Sequence, residues 1–341
     1  MEKKLRRARD KDAAVILIYG AHLIKNGTAV LVNQLIESGW ITHIATNGAG
    51  SIHDWEFAHI GASTESVEKG VKNGSFGAWD ETAKNIHIAI LSGAIDSLGY
   101  GQSLGRFINE NGCTLPQESE LVEAIKNDPT SHLTSARADL LFAMNQFSLK
   151  AGKYDVSHPY RETSIIASAW RHKVPFSVHP SIGYDIIANH PIFSGSAIGR
   201  AGEWDFKLFG GSLENLNGGI TISVGSAIMG PQVFEKAMSC VNNRRIKLGG
   251  TAITDHSIYV VDIQDGGQWD MFVNLIEKYG VIPQSVMPES FQSSQSRMMN
   301  GFLTRKLREF AYVLRDKNKK GVAFKLNPLF IWLRRLGSNQ R

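Results

Sequence analysis

Residues 13 to 48 hold the feature that most limits the fold: an apolar run AAVILIYG (13 to 20), a stretch TAVLVNQLIESG (28 to 39), and a second strand-like run WITHIATNG (40 to 48). A continuous apolar run closed by a glycine reads as a fully buried strand. Apolar residues three and four apart read as one face of a helix. Two strands joined through a helix are expected to lie parallel in one sheet, because only a crossover of a dozen or more residues brings a chain back to a parallel neighbour.

The alternation returns downstream, with helical spacing in RETSIIASAWRHK, EWDFKLFGGSLEN and PQVFEKAMSCVNN and strand patterns in VPFSVH, GGITISVG and SIYVVDI. Together these predict an α/β fold: a doubly wound, mostly parallel Rossmann-like sheet. A helical insertion is expected over about residues 79 to 150, with DETAKNIHIAILSGAI and SARADLLFAMNQFS as its clearest helices. The body is taken as residues 1 to 270. Residues 271 to 341 are read as a basic tail, helical or partly disordered.

Charge separates the same two parts. The chain of 341 residues has a net charge of +5, but residues 271 to 341 carry 13 Lys and Arg against 4 Asp and Glu, which leaves 24 against 28 in the body. A mildly acidic body with a basic tail argues against nucleic acid as the main partner. Cys113 and Cys240 lie far apart and match no metal spacing, so a reducing, cytoplasmic setting without a structural metal is expected. The basic start MEKKLRRARDKD is followed only by AAVILIY, shorter than the ~20 apolar residues of a membrane span, and neither export nor membrane insertion is expected.

In such a sheet, ligands sit beyond the carboxyl ends of the strands, where bare backbone and helix N-termini attract phosphate. Three small-residue segments fall at predicted strand ends: YGAHLIKNG (19 to 27), NGAGSIHD (47 to 54) and SVGSAIMGP (223 to 231). Lined up, they would form one crevice edge, with Asn26, Gly27, Thr46, Asn47, Gly48, Ala49, Gly50, Gly225 and Ser226 as candidate cofactor-binding residues. His53 stands where the dinucleotide fingerprint has its third glycine.

The order of these segments resembles the deoxyhypusine synthase family. Ala21-His22 with Asn26-Gly27 corresponds to that family's Ser-Asn…Ser-Gly loop, and Thr46 to Gly50 to its Thr-Thr-Ala-Gly-Gly turn. VPFSVHPSIGYD, ending at Asp185, is similar to its Pro-Val-Phe-Ser-Pro…Gly-Asp stretch, VGSAIMG to its triple-glycine turn, and DGGQWD, with Asp265, to its late Asp-Gly segment. The resemblance spans roughly residues 13 to 270. It implies NAD as cofactor, a polyamine or similar small amine such as spermidine as substrate, transfer of an aminobutyl group to a protein lysine, and a homotetramer. The family's Trp-Gly-Lys segment has no counterpart here, and Lys278, the next lysine, stands in another context. The expectation is therefore NAD-dependent amine oxidation, with transfer to a protein lysine acceptor left open by the missing lysine. NGAGSIHDWE also resembles ornithine cyclodeaminase relatives that share the dinucleotide fold. A nucleotide-binding scaffold without catalysis is the alternative from another class.

Holding a cationic amine calls for carboxylates, and removing its hydride calls for a base. His53, Asp54, Asp185 and Asp265 are the candidate catalytic residues, with Glu56 and Asp270 nearby in sequence. His22, His43, His53 and His59 show no metal-binding spacing, and the His-Pro pairs at 158, 179 and 190 read as loop geometry set by proline. Asp80 is read as the cap of a helix.

Overall fold

A computed structural model describes residues 1–62, 67–226 and 228–261. The tail expected over 271–341, and Asp265 with it, lie outside the described residues.

The chain opens with helix α1 (Glu2–Asp10) and enters strand β1 (Val15–Tyr19), all five of whose residues are buried. A short helix α2 (Ala21–Lys25) and helix α3 (Ala29–Glu37) lead to β2 (His43–Asn47), which runs directly into α4 (Gly48–Ile60). Next come α5 (Val67–Asn73), a π-helical turn (Asp80–Lys84), α6 (Asn85–Ala94), α7 (Tyr100–Glu110), β3 (Gly112–Leu115), α8 (Glu118–Asn127), α9 (Thr134–Gln146) and β4 (Gly152–Asp155). After α10 (Ile165–Arg171) the pattern returns to β5 (Phe176–His179), α11 (Gly195–Leu213), β6 (Gly219–Val224), α12 (Met229–Lys247) and β7 (His256–Val261).

Five strands form a wholly parallel sheet in the order β5-β2-β1-β6-β7. The α/β, Rossmann-like architecture expected from the alternation is therefore present. From β1 the chain fills one half of the sheet outward through β2 and β5, then returns to the other side of β1 with β6 and β7. The strand order thus reverses between β1 and β6.

The sheet is covered on both faces, as the period of a strand requires. Leu17 and Tyr19 point into a core with α3, α4, α7 and α10 residues such as Ile36, Trp55, Leu104 and Ile166, while Ile16 and Ile18 point into a second core with Phe209, Leu213, Met229 and Val241. A strand buried on both faces has no polar positions to alternate, which is why AAVILIYG is continuously apolar. Each isoleucine so buried contributes about 1.5–3 kcal/mol.

Two expectations change. The segment between β2 and β5 is not purely helical, since β3 pairs antiparallel with β4 in a separate two-stranded sheet. Asp80 does not cap a regular helix. It opens the π-helical turn, and its carboxylate takes the Nζ of Lys84 at 2.9 Å and Nε2 of His190 at 2.8 Å.

Candidate functional site: the carboxyl edge of the sheet

The register sets which strand ends meet. Tyr19 lies beside Thr46 on one side and Val224 on the other, and Asn47 lies beside His179. The ends of β1, β2, β5 and β6 are therefore flush, and the segments after them, Gly20, Gly48, Pro180 and Gly225, follow along one edge.

At the β2 end, the segment read as a glycine turn is helix from its first glycine. Asn47 is the N-cap of α4: its backbone is extended and its Oδ1 accepts from Gly50 N at 2.9 Å. Thr46 is fully buried and its Oγ1 donates to the Tyr19 carbonyl at 2.9 Å. Gly48 and Gly50 are indeed places of close approach, but to the protein itself. A Cβ on Gly48 would lie 2.1 Å from the Asp185 Oδ2, and one on Gly50 would lie 2.0 Å from Thr46 Oγ1. Ala49 between them is half-buried.

Asp185 thus stands at the amino end of α4, where a carboxylate complements the positive end of the helix. Its Oδ2 also accepts from Ser181 N at 2.7 Å. Burial pushes its carboxyl above the usual range, and the Ser181 hydrogen bond opposes that shift.

His53 and Asp54 lie along α4, in its second turn. His53 Nδ1 pairs with Glu56 Oε2 at 2.9 Å. Asp54 is 1% exposed, and its two oxygens accept from Ser164 Oγ at 2.5 Å, Ile165 N at 2.9 Å and Ile166 N at 3.2 Å. It satisfies the N–H groups at the start of α10, one of the places a buried carboxylate can be held without a counter-cation. Desolvation pushes its carboxyl up to about 6 even so, against those three hydrogen bonds. Asp54 also borders a cavity of about 270 Å³ that includes Gly27, Phe57 and Tyr160. Asn26, beside Gly27, donates from Nδ2 to the His22 carbonyl at 2.8 Å, and Gly27 takes φ +75°.

The β1/β6 end differs. Gly20 N donates to the Val224 carbonyl, and a Cβ on Gly20 would lie 2.6 Å from the Ser226 N. Gly225 and Ser226 both take left-handed backbone, φ 70° and 61°. For serine that conformation is uncommon and marks a held loop. Ser226 Oγ accepts from Gly230 N at 3.2 Å at the start of the 19-residue α12.

One feature of this edge carries no sequence signal except its position. His179 ends β5, and its Nε2 lies 3.1 Å from Ser177 Oγ; Ser177 Oγ lies 2.9 Å from His43 Nε2, and His43 Nδ1 lies 2.7 Å from Ser212 Oγ. The ring of Phe209 meets both imidazoles edge-on, at 5.2 and 5.5 Å. Burial brings His43 down to about 3 and His179 to about 4, so both are neutral at pH 7. The clue in the sequence is a histidine as the last residue of a predicted strand, and the proline that follows it favours loop geometry when the sequence stands alone.

Among the described residues no three His, Cys, Asp or Glu side chains gather into a metal-binding group, and no helix is long and apolar enough to cross a membrane.

Comparison with known proteins adds a different kind of information. Residues 245–326 match the Peptidase C1-like family. The span is 82 of the chain's 341 residues. It opens at Arg245 in α12 and includes β7. A stretch of 53 residues is 62% identical to Aminopeptidase C of Streptococcus thermophilus, covering 16% of this chain and 12% of that protein. Bleomycin hydrolase of Homo sapiens is 56% identical over 52 residues, 15% of this chain and 11% of that protein. The chain therefore spans only about an eighth of the length of these relatives. Among solved structures, the ternary complex of AgrE with ornithine and NAD+ aligns over 81% of this chain and 32% of that one, at 11% identity and a TM-score of 0.32. At that score it decides neither the ligand nor the activity of this chain.

These findings overturn the reading as an NAD-dependent transferase of the deoxyhypusine synthase type, together with its spermidine substrate and its ornithine cyclodeaminase and scaffold alternatives. The segment DGGQWD, which supplied Asp265 to that resemblance, lies inside the span that matches a peptidase family. A segment read as the late part of one family thus falls within the residues that match another.

Proposed function

We propose that the α/β body holds a nucleotide cofactor of the NAD class at the β1/β6 end of the carboxyl edge. The observation behind this reading is the reversal of strand order between β1 and β6. The helices that follow the two strands pack on opposite faces of the sheet, α3 on one and α12 on the other, and such a switch point is the usual ligand position in open parallel sheets. Gly20 and Gly225 offer backbone without side chains. Ser226 accepts from Gly230 N and keeps its hydroxyl proton to donate to a phosphate or ribose oxygen. The amino end of the 19-residue α12 presents the positive end of its dipole to a diphosphate, with Gly230 N held by Ser226 and Pro231 lacking an N–H, whereas the corresponding end of α4 is already beside Asp185. Thermal unfolding with and without NAD+ tests this: ligand at 100 times its dissociation constant adds about 2.7 kcal/mol of stability. A clear rise in midpoint, competed by ADP-ribose, is expected. An unchanged midpoint at millimolar NAD+ contradicts it.

A second reading, peptide hydrolysis, is favoured by the match over 245–326. Cysteine peptidases act through a thiolate, and residues 245–326 contain no cysteine. Burial raises the half-buried Cys113 thiol, leaving Cys240, exposed on α12, as the accessible one. In this reading, release of fluorophore from aminoacyl amides should stop on alkylation and in Cys240→Ala. Absence of turnover by the untreated protein removes it.

A further inference from the structure

We infer that a cavity at the opposite, amino-terminal edge of the sheet binds an organic anion with an apolar body. It lies between α7, α10 and the start of β5 and encloses about 460 Å³, within the range of small-molecule sites. Neither the nucleotide reading nor the peptidase match uses it. Trp170 and Phe176 form apolar wall, and Gln102, Asn109, Arg171 and Lys173 are its polar lining. No carboxylate lines it.

The sign of the ligand follows from those groups. Arg171 lines the cavity with a side chain that keeps 25% of its surface exposed; its Nη2 pairs with Glu162 at 3.0 Å, and its Nη1 is buried away from the cavity water with no acceptor among the described residues. An anionic oxygen that reaches the exposed part of this guanidinium makes a charge-assisted hydrogen bond, among the stronger kinds. Lys173 is exposed and adds a second positive charge to the rim. Glu162 offsets the charge of Arg171, and the carboxyl end of α10 opposes an anion with about half a charge, so Lys173 leaves the lining with a net positive balance. The Gln102 amide makes no side-chain hydrogen bond among the described residues and is available to orient the ligand. The apolar wall then selects a planar or hydrocarbon body over a bare inorganic ion, with Trp170 offering a face for an aromatic ring.

Calorimetric titration of the full chain with 1-naphthoate, 1-naphthyl phosphate, 1-naphthylmethylamine and acetate tests the assignment. One or both naphthyl anions are expected to bind, and their ratio tells whether carboxylate or phosphate is preferred; the amine and acetate are expected not to bind. Arg171→Gln should weaken the bound anion at least tenfold. Gln102→Glu, which places a negative charge in the cavity without touching the Arg171–Glu162 pair, should weaken it similarly and decides the matter if Arg171→Gln does not fold. Glu162→Gln, outside the cavity, should leave binding intact or tighten it. Binding of the amine as tight as that of the anions, no binding by either anion, or unchanged affinity in the folded cavity variants overturns the inference.

Discussion

The two halves of the carboxyl edge solve the same geometric problem in opposite ways. At the β2/β5 half, the space a glycine leaves is filled by the protein's own side chains: Asp185 against Gly48, and Thr46 against Gly50. At the β1/β6 half, backbone meets backbone, with Gly20 against Ser226 N and two successive residues in left-handed conformation. A glycine at a strand end therefore does not by itself signal a ligand. What separates the halves is the charge at the amino end of the following helix: the Asp185 carboxylate stands at α4, and only the neutral Ser226 hydroxyl at α12.

Substitution of the two glycines gives the largest contrast. Gly20→Ala pushes a methyl group onto a backbone nitrogen that has no rotamer to escape into, and we expect a loss of about 3 kcal/mol or more in urea unfolding. Gly48→Ala meets a side-chain carboxylate that can turn away at the cost of its Ser181 hydrogen bond. A smaller loss, about 1–3 kcal/mol, is expected there. Asp185→Ala should relieve most of it: in a double-mutant cycle the coupling between the two changes should be about 1–2 kcal/mol. Additive effects would mean that the carboxylate and Gly48 do not share one space.

The pH dependence of Asp54 sharpens the comparison from the internal side. Its carboxyl, pushed up to about 6 from an ordinary value of 3.8, keeps its proton in the folded chain after the unfolded chain has released it. Stability from this group is therefore lost as pH rises from about 4 to about 6. The advantage of the wild type over Asp54→Asn should shrink by about 1–3 kcal/mol between pH 4 and pH 7, read from urea midpoints. A constant difference would show that Asp54 titrates alike in both states.

The parallel sheet was legible because its signal is local and strong: five consecutive buried residues in β1 and helical spacing before β2 leave few alternatives. Its crossover helices were legible for the same reason. The role of NGAGSIHD was not, because the same residues serve a ligand loop or a helix start, and only Asp185, 137 positions after Gly48, decides between them. Asp54 reads as a catalytic carboxylate until Ser164 and the start of α10 arrive beside it. The relay through His43, Ser177 and His179 depends on strand register, which one sequence does not state. DGGQWD is illegible for a different reason: six residues fit a long collinear pattern by chance, and the same residues lie within a match to another family.

Hydrogen–deuterium exchange with and without NAD+ tests the division of the carboxyl edge most directly. Slowed exchange at the segments containing Gly20 and Gly225–Gly230, with Asn47–Gly50 unchanged, is the expected result. Protection confined to Asn47–Gly50, or none at either half under saturating NAD+, would contradict it.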